Sequence, residues 1–353
     1  MNQSQQETPA SRGFYMPAEW RPHAATWLTW PKDPETWPDR VSQVEEIYLQ
    51  MIAALTPHET VNLLVDDEAT EQAVGQRCTF PSIENLRFHH IPTVDSWIRD
   101  YGPNFLVDDK GAIAFNDWIF NAWGNKYESL KRDNGVPRLL EPTLQLRRFE
   151  PGIVMEGGAI EVNGAGCVLT TEQCLLNPNR NPHLNREEIE NYLKQYLGVT
   201  KVLWLGEGIV GDDTDGHIDD IARFVAPNLI VCALEEDPED ANYELLQDNL
   251  ARLKSMTDAN DRPFKIVALP MPGVVGGTST DTRNLDRLPA SYINFYIANK
   301  VVLVPVFGHA NDARAVETLQ QVFTDRQVVP INCEPLVWGM GTIHCVTQQQ
   351  PRI

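Results

Sequence analysis

Ile221-Ala222-Arg223-Phe224-Val225, the turn Ala226-Pro227-Asn228, and Leu229-Ile230-Val231-Cys232-Ala233-Leu234 form two apolar runs across a short break. That pattern is a β-hairpin signal. A helical pattern follows from about Asp240 to Met256, and then an apolar run, Phe264–Leu269, that predicts a closing strand. The same order recurs downstream. Tyr292–Ile297 and Val301–Val306 flank Ala298-Asn299-Lys300, with a helix expected near Asp312–Phe323 and a strand over Val328–Ile331. Upstream, Ala159–Val162 and Cys167–Thr171 flank Asn163-Gly164-Ala165-Gly166. A helix capped near Asn185, with Glu187 and Glu188 in its first turn, and a strand Lys201–Leu205 come next. A fourth hairpin, Asn104–Val107 with Ala112–Phe115, has no readable helix after it. The two ends supply a fifth unit: Thr342–Thr347 pairs with Thr26–Trp30, leading to a helix Val41–Leu55 and a strand Val61–Val65. Repetition of this kind predicts ββαβ units set around one axis, closed by N- and C-terminal strands. The alternative is an α/β sandwich with irregular insertions.

Units around one axis bring their strand ends together, and the polar residues gather at those ends. They are Asp95–Asp100, Glu156-Gly157-Gly158, His217–Asp220 and His344-Cys345. Cys345 alone reads as a small buried hydrophobe. Glycines at 339 and 341, which permit close backbone approach, and the remote carboxylates make it a candidate thiol nucleophile. With Ile343–Val346 as a strand, His344 turns away from the thiol, so His217 is the expected proton shuttle. His217-Ile218-Asp219 places two polar side chains on one side of an extended segment, with Asp219 free to grip a cation. Glu156, at an apolar strand entry before two glycines, is either a solvent-facing strand end or a buried acid orienting His217. Asp95-Ser96-Trp97-Ile98-Arg99-Asp100 reads by default as a loop with an Arg99–Asp100 pair. A His-x-Asp beside further aspartates can hold a divalent ion, but no paired Cys-x-x-Cys or His-x-x-x-His accompanies it. The expectation is therefore no metal.

The chain has 353 residues, 42% hydrophobic and 22% charged, which fits a folded globular protein read as one catalytic domain, with residues 1–13 as a flexible tail. A net charge of −20 excludes nucleic acid and anionic membrane surfaces as natural partners. Six cysteines without a C-x-x-C point to reduced thiols and a cytoplasmic address rather than a disulfide framework. No apolar run is long enough to span a bilayer.

The chain resembles the agmatine deiminase family, within the guanidino-group-modifying superfamily of five-bladed α/β propellers. The resemblance rests on Met16-Pro17-Ala18-Glu19-Trp20, Asp95–Asp100, Phe120-Asn121-Ala122-Trp123-Gly124, Met155-Glu156-Gly157-Gly158, Asn179-Arg180-Asn181-Pro182-His183, Gly216-His217-Ile218-Asp219 and the Cys345 segment. It implies a pseudo-symmetric five-bladed propeller and hydrolysis of agmatine to N-carbamoylputrescine and ammonia without metal or organic cofactor. In that reading Cys345 attacks the guanidinium carbon, His217 oriented by Glu156 moves protons, and Asp95 and Asp219 bind the guanidinium nitrogens. Trp97, Trp123, Asp213, Asp215 and Gly158 contact the rest of a small cationic guanidino substrate. A homodimer or higher homo-oligomer is left open. Free or peptide-linked arginine is the competing substrate, and its carboxylate would need a cationic clamp such as Arg99 or Arg223. A non-catalytic polyamine-binding protein is the reading from another class.

Overall fold

The computed structural model describes residues 7–276 and 287–353. Among them the strands form five separate sheets, and the same local pattern builds each one. An antiparallel pair comes first, and a helix then returns the chain to a third strand that runs parallel. Ala222–Ala226 pairs antiparallel with Leu229–Leu234, which pairs parallel with Lys265–Pro270 across the helix Tyr243–Ser255. Glu161–Val162, Cys167–Thr171 and Lys201–Leu205 repeat this around the helix Arg186–Leu197. That helix starts where its sequence says, because Asn185 and Glu188 form a reciprocal capping box. Tyr296–Ile297, Val301–Val306 and Gln327–Asn332 repeat it around Asp312–Val322. No sheet closes on itself among the described residues.

The remaining sheets correct the sequence reading in instructive ways. The hairpin Asn104–Asp108 with Ile113–Asn116 does have a crossover helix, Val136–Leu144, and a parallel strand, Arg147–Phe149. Pro137 in its first turn and Pro142 inside disguise that helix. Thr342–Thr347 is not a strand. Thr347 folds back on its own side-chain oxygen, which donates to the Ile343 and His344 carbonyls at 3.0 Å each, so residues 343–346 make a turn. The strand is Gln348–Pro351, and it pairs antiparallel with His23–Thr29, placing Gln348 opposite Trp27. Beyond His23–Thr29 and Thr60–Val65, this sheet gains a fourth strand, Leu86–His90. The expected strand Tyr292–Ile297 shrinks to its last two residues, because Ser291 and Asn294 turn their side chains to polar partners instead. Of the tail expected over residues 1–13, residues 1–6 lie outside the described ones. Ala10–Arg12 make a single turn closed by Thr8 and Ser11, and Phe14–Tyr15 pairs with the strand Asn104–Asp108, so residues 8–13 are built into the fold. No described helix is long and apolar enough to cross a membrane.

Apolar helix faces cover the sheets: Val44, Ile47, Tyr48, Met51, Ile52 and Leu55 are all buried on the Val41–Leu55 helix, a 3.6-residue stripe. Between the sheets, the centre is charged. Buried Glu19 meets Arg223 at 2.9 Å, Arg99 at 3.5 Å and His344 at 2.8 Å, and accepts from the Ile297 amide at 2.8 Å. Arg223 also holds Glu161 at 2.7 Å, and Arg99 donates to Gln349 at 2.7 Å. A strand end or flank from each of the five sheets contributes to this one network. Removing one partner of a buried ion cluster leaves uncompensated charge, which costs roughly 3–5 kcal/mol. Glu19→Ala is expected to lower unfolding free energy by about that amount in a denaturant titration; a loss below about 1 kcal/mol would mean the network contributes no more than a surface pair.

Candidate active site

Cys345 lies on the wall of a cavity of about 380 Å³, beside Asp95, Trp97, Asp100, Trp123 and Asp213. Trp338-Gly339-Met340-Gly341 contributes the neighbouring rim. The glycines do what the sequence suggests. A Cβ on Gly341 would stand 2.7 Å from the Trp97 ring and 3.2 Å from Cys345 Sγ, and one on Gly339 would stand 2.5 Å from Trp37 Nε1. Cys345 Sγ itself is 3.2 Å from Asn294 Nδ2 and 3.9 Å from Asp219 Oδ2. Burial, then the charges of Asp219, Asp220 and Asp100, push this thiol well above its ordinary range. Without a cation in the cavity it is a neutral thiol.

Beneath the cavity, His217 is fully buried. Its Nδ1 faces Asp100 Oδ1 at 3.8 Å, and neither ring nitrogen has a hydrogen-bond partner among the described residues. Burial works against its charge, but Asp100 first, and then Cys174 and Asp219, raise its pKa well above the ordinary histidine value. Gly158 makes this packing feasible. Its amide donates to Asp100 at 2.9 Å, and a Cβ there would come within 2.6 Å of His217 Nδ1 and 3.1 Å of Asp219 Oδ2. Gly158 is therefore a spacer under the site rather than part of the cavity wall.

Glu156 and His217 are neighbours without a hydrogen bond between them. One Glu156 oxygen accepts from Arg180 Nε at 2.6 Å, and the other has no partner among the described residues. Arg180 also holds Asp215 at 2.6 Å, and Asp215 is further tied to Asn179 and Lys126. Asp215 is thus a brace for its own loop and does not line the cavity, whereas Asp213 does. Asp219 gives one oxygen to His344 Nδ1 at 2.6 Å and keeps the other unpartnered. Asp95 accepts from Thr36 at 2.6 Å, the Ser96 amide at 2.7 Å and Trp97 Nε1 at 2.8 Å. Its burial outweighs these bonds and raises its pKa to about 7.

The structure also brings in residues that the sequence did not single out. Asp100 forms no pair with Arg99; it accepts from Trp123 Nε1 at 2.9 Å and lines the cavity. The short helix Ile98–Tyr101 sends the two neighbours in opposite directions, and no spacing rule flags this. Trp118, five residues before Trp123, packs on Tyr196 in another part of the core. Arg99 and Arg223 are engaged in the central network and do not line the cavity.

Residues 15–351 match the Porphyromonas-type peptidyl-arginine deiminase family. An agmatine deiminase of Ectopseudomonas mendocina is 37% identical over 361 residues, covering 98% of this chain and 97% of that protein. The chain belongs to the agmatine deiminase family. An agmatine deiminase of Medicago truncatula is 37% identical over 375 residues, with 99% of each chain covered. The solved agmatine deiminase of Enterococcus faecalis superposes with a TM-score of 0.92 at 36% identity, over the whole of both chains.

One group in this family member could in principle ligate a metal: Glu156, Cys174 and His217 offer ligand atoms within 4.8 Å of one another. The charges argue against it. Arg180 already pairs with one Glu156 oxygen, and the raised pKa of His217 opposes the deprotonated imidazole that a metal needs. Asp100→Asn is expected to lower the His217 titration midpoint, read from its ring protons by NMR, because the nearest anion is gone. An unmoved midpoint would remove Asp100 from its role as the charge partner of His217.

Proposed function

We propose that this chain is an agmatine deiminase, a hydrolase of C–N bonds in linear amidines, converting agmatine and water to N-carbamoylputrescine and ammonia. One observation carries the choice of substrate. Among the described residues lining the cavity the charged side chains are all acidic, and both arginines able to clamp a carboxylate are buried elsewhere. A dication is drawn into such a field, while arginine would bring its carboxylate against Asp213 and Glu35, where Lys126 is already paired with Asp213 at 3.3 Å.

The chemistry runs as follows in this reading. The guanidinium enters between Asp95 and the carboxylates behind Cys345, and its charge lets the thiol ionise, its proton leaving through the cavity to solvent. The thiolate adds to the guanidinium carbon. The tetrahedral adduct collapses by breaking the bond to a terminal nitrogen, which takes a proton from the His217 imidazolium and leaves as ammonia. Neutral His217 then removes a proton from water, whose oxygen adds to the same carbon. The C–S bond breaks as the hydroxyl proton of the adduct passes to the departing sulfur, so the thiol re-forms and the ureido product departs. Asp95 and Asp219 hold the planar cation, Glu156 fixes the imidazole through its position beside it, and Trp97 and Trp123 wall the site. Asp213 faces the amine end. We place the five sheets as blades of a pseudo-symmetric propeller around the Glu19 network, forming a single catalytic domain. Six free, buried cysteines support a reducing, cytoplasmic setting.

The test is competition. Agmatine and arginine at equal concentration should give N-carbamoylputrescine as the dominant product by chromatography; dominant citrulline overturns the assignment. A second measurement follows from Asp95. A cation binds its ionised form, so affinity is present above a pKa of about 7 and is lost as pH falls through it. Calorimetric titration of Cys345→Ser with agmatine should show binding weakening below about pH 7, and Asp95→Asn should abolish that dependence along with most of the affinity.

A further inference from the structure

We propose that Asn294 is a catalytic residue whose carboxamide donates to the sulfur of Cys345 and stabilises the thiolate. The orientation of its amide is decided by its neighbours. Oδ1 accepts from Thr342 Oγ1 at 2.7 Å and from the His344 amide at 2.9 Å, with the Cys345 amide at 3.4 Å. The backbone amides can only donate, so the oxygen must face them. Nδ2 is thereby turned to Asp220 Oδ1 at 3.0 Å and to Cys345 Sγ at 3.2 Å. Reversing the amide would set N–H against N–H on one side and oxygen against a carboxyl oxygen on the other.

The need for such a donor is clear from the charges. Sulfur stands among Asp219, Asp220 and Asp100, all of which oppose a negative thiolate. Among the side chains of the described residues, Asn294 is the one whose N–H is bonded to Sγ. The same sulfur lies 3.5 Å from Oδ1, so the neutral S–H rests against the oxygen and the thiolate is taken up by the N–H. One carboxamide serves both protonation states of the nucleophile. Ser291 and Asp220 anchor the segment from behind: Ser291 Oγ donates to the Asp220 carbonyl at 2.8 Å. A purely structural role, holding the 343–346 turn, would account for Oδ1 alone.

The role rests on the deiminase reading for its purpose, but its test does not require turnover. Alkylation of Cys345 by iodoacetamide is followed against pH, with mass spectrometry of the Cys345 peptide to exclude the other five cysteines. Asn294→Asp keeps an oxygen for Thr342 and His344 but removes the donor, and Asn294→Ala removes both. A hydrogen bond to a charged group corresponds to roughly one pH unit or more, so both variants should move the alkylation midpoint up by about that much. Their agmatine turnover should fall about tenfold or more, with KM changed far less. Thr342→Val loosens the oxygen side only and should leave the midpoint in place. Unmoved midpoints in both Asn294 variants, or an equal shift in Thr342→Val, overturn the inference. If the variants do not fold, the native protein decides. The Asn294 side-chain NH2 resonances should shift with the thiol titration and lose that shift in Cys345→Ser; a flat signal overturns it. Absence of ammonia release from the native protein would instead end the deiminase reading and leave the titration interpretable.

Discussion

Buried charge has to be matched, and in this chain one carboxylate does most of the matching. Glu19 engages Arg223, Arg99, His344 and the Ile297 amide, partners drawn from segments hundreds of residues apart. Because an unpaired ion in the interior is so unfavourable, the sheets have few relative positions in which all of these charges are satisfied. The chemistry inherits that constraint. His344 is pinned between Glu19 and Asp219, and Cys345 is the next residue along. Arg223 reaches Glu19 from the strand that follows His217 and Asp219. Cys345 and His217, the nucleophile and proton carrier of the proposed mechanism, are therefore positioned from the same anchor.

Above that anchor the electrostatic balance is deliberately one-sided. Asp95 and Asp100 are both raised by burial, Cys345 is raised by burial and the carboxylates, and His217 is raised by Asp100. These groups titrate as an interacting set, so macroscopic steps belong to the site rather than to any single residue. A planar cation in the same place can take over the compensating role, which is the part the proposed mechanism gives to the substrate.

Much of the fold could be read because apolar runs and turn residues report hairpins directly; Lys201–Leu205 and the Asn185 cap are found where their residues say. The failures have local causes. Two prolines masked the Val136–Leu144 helix. β-branched residues near Cys345 read as a strand, but Thr342 and Thr347 use their hydroxyls to fold a turn. At the site, His217 and Cys345 stood out from residue type and flanking glycines, whereas Asp95 came only through the family resemblance. Asp100 and Asn294 did not, since an aspartate beside an arginine and an asparagine in an apolar run each have an ordinary explanation. Arg180 was visible only as part of a motif. What decides these residues is which groups lie opposite them across a sheet junction, and that information is tertiary.

The pairing of Gln348–Pro351 with His23–Thr29 has a consequence for how the protein is made. During synthesis the carboxylates and the histidine leave the ribosome well before Cys345 does. The sheet that fixes the turn bearing the thiol cannot form until its last strand has emerged and found a partner near the start of the chain. A nascent polypeptide can thus fold the sheets whose strands all precede Gln348 while the turn that carries Cys345 is still unanchored.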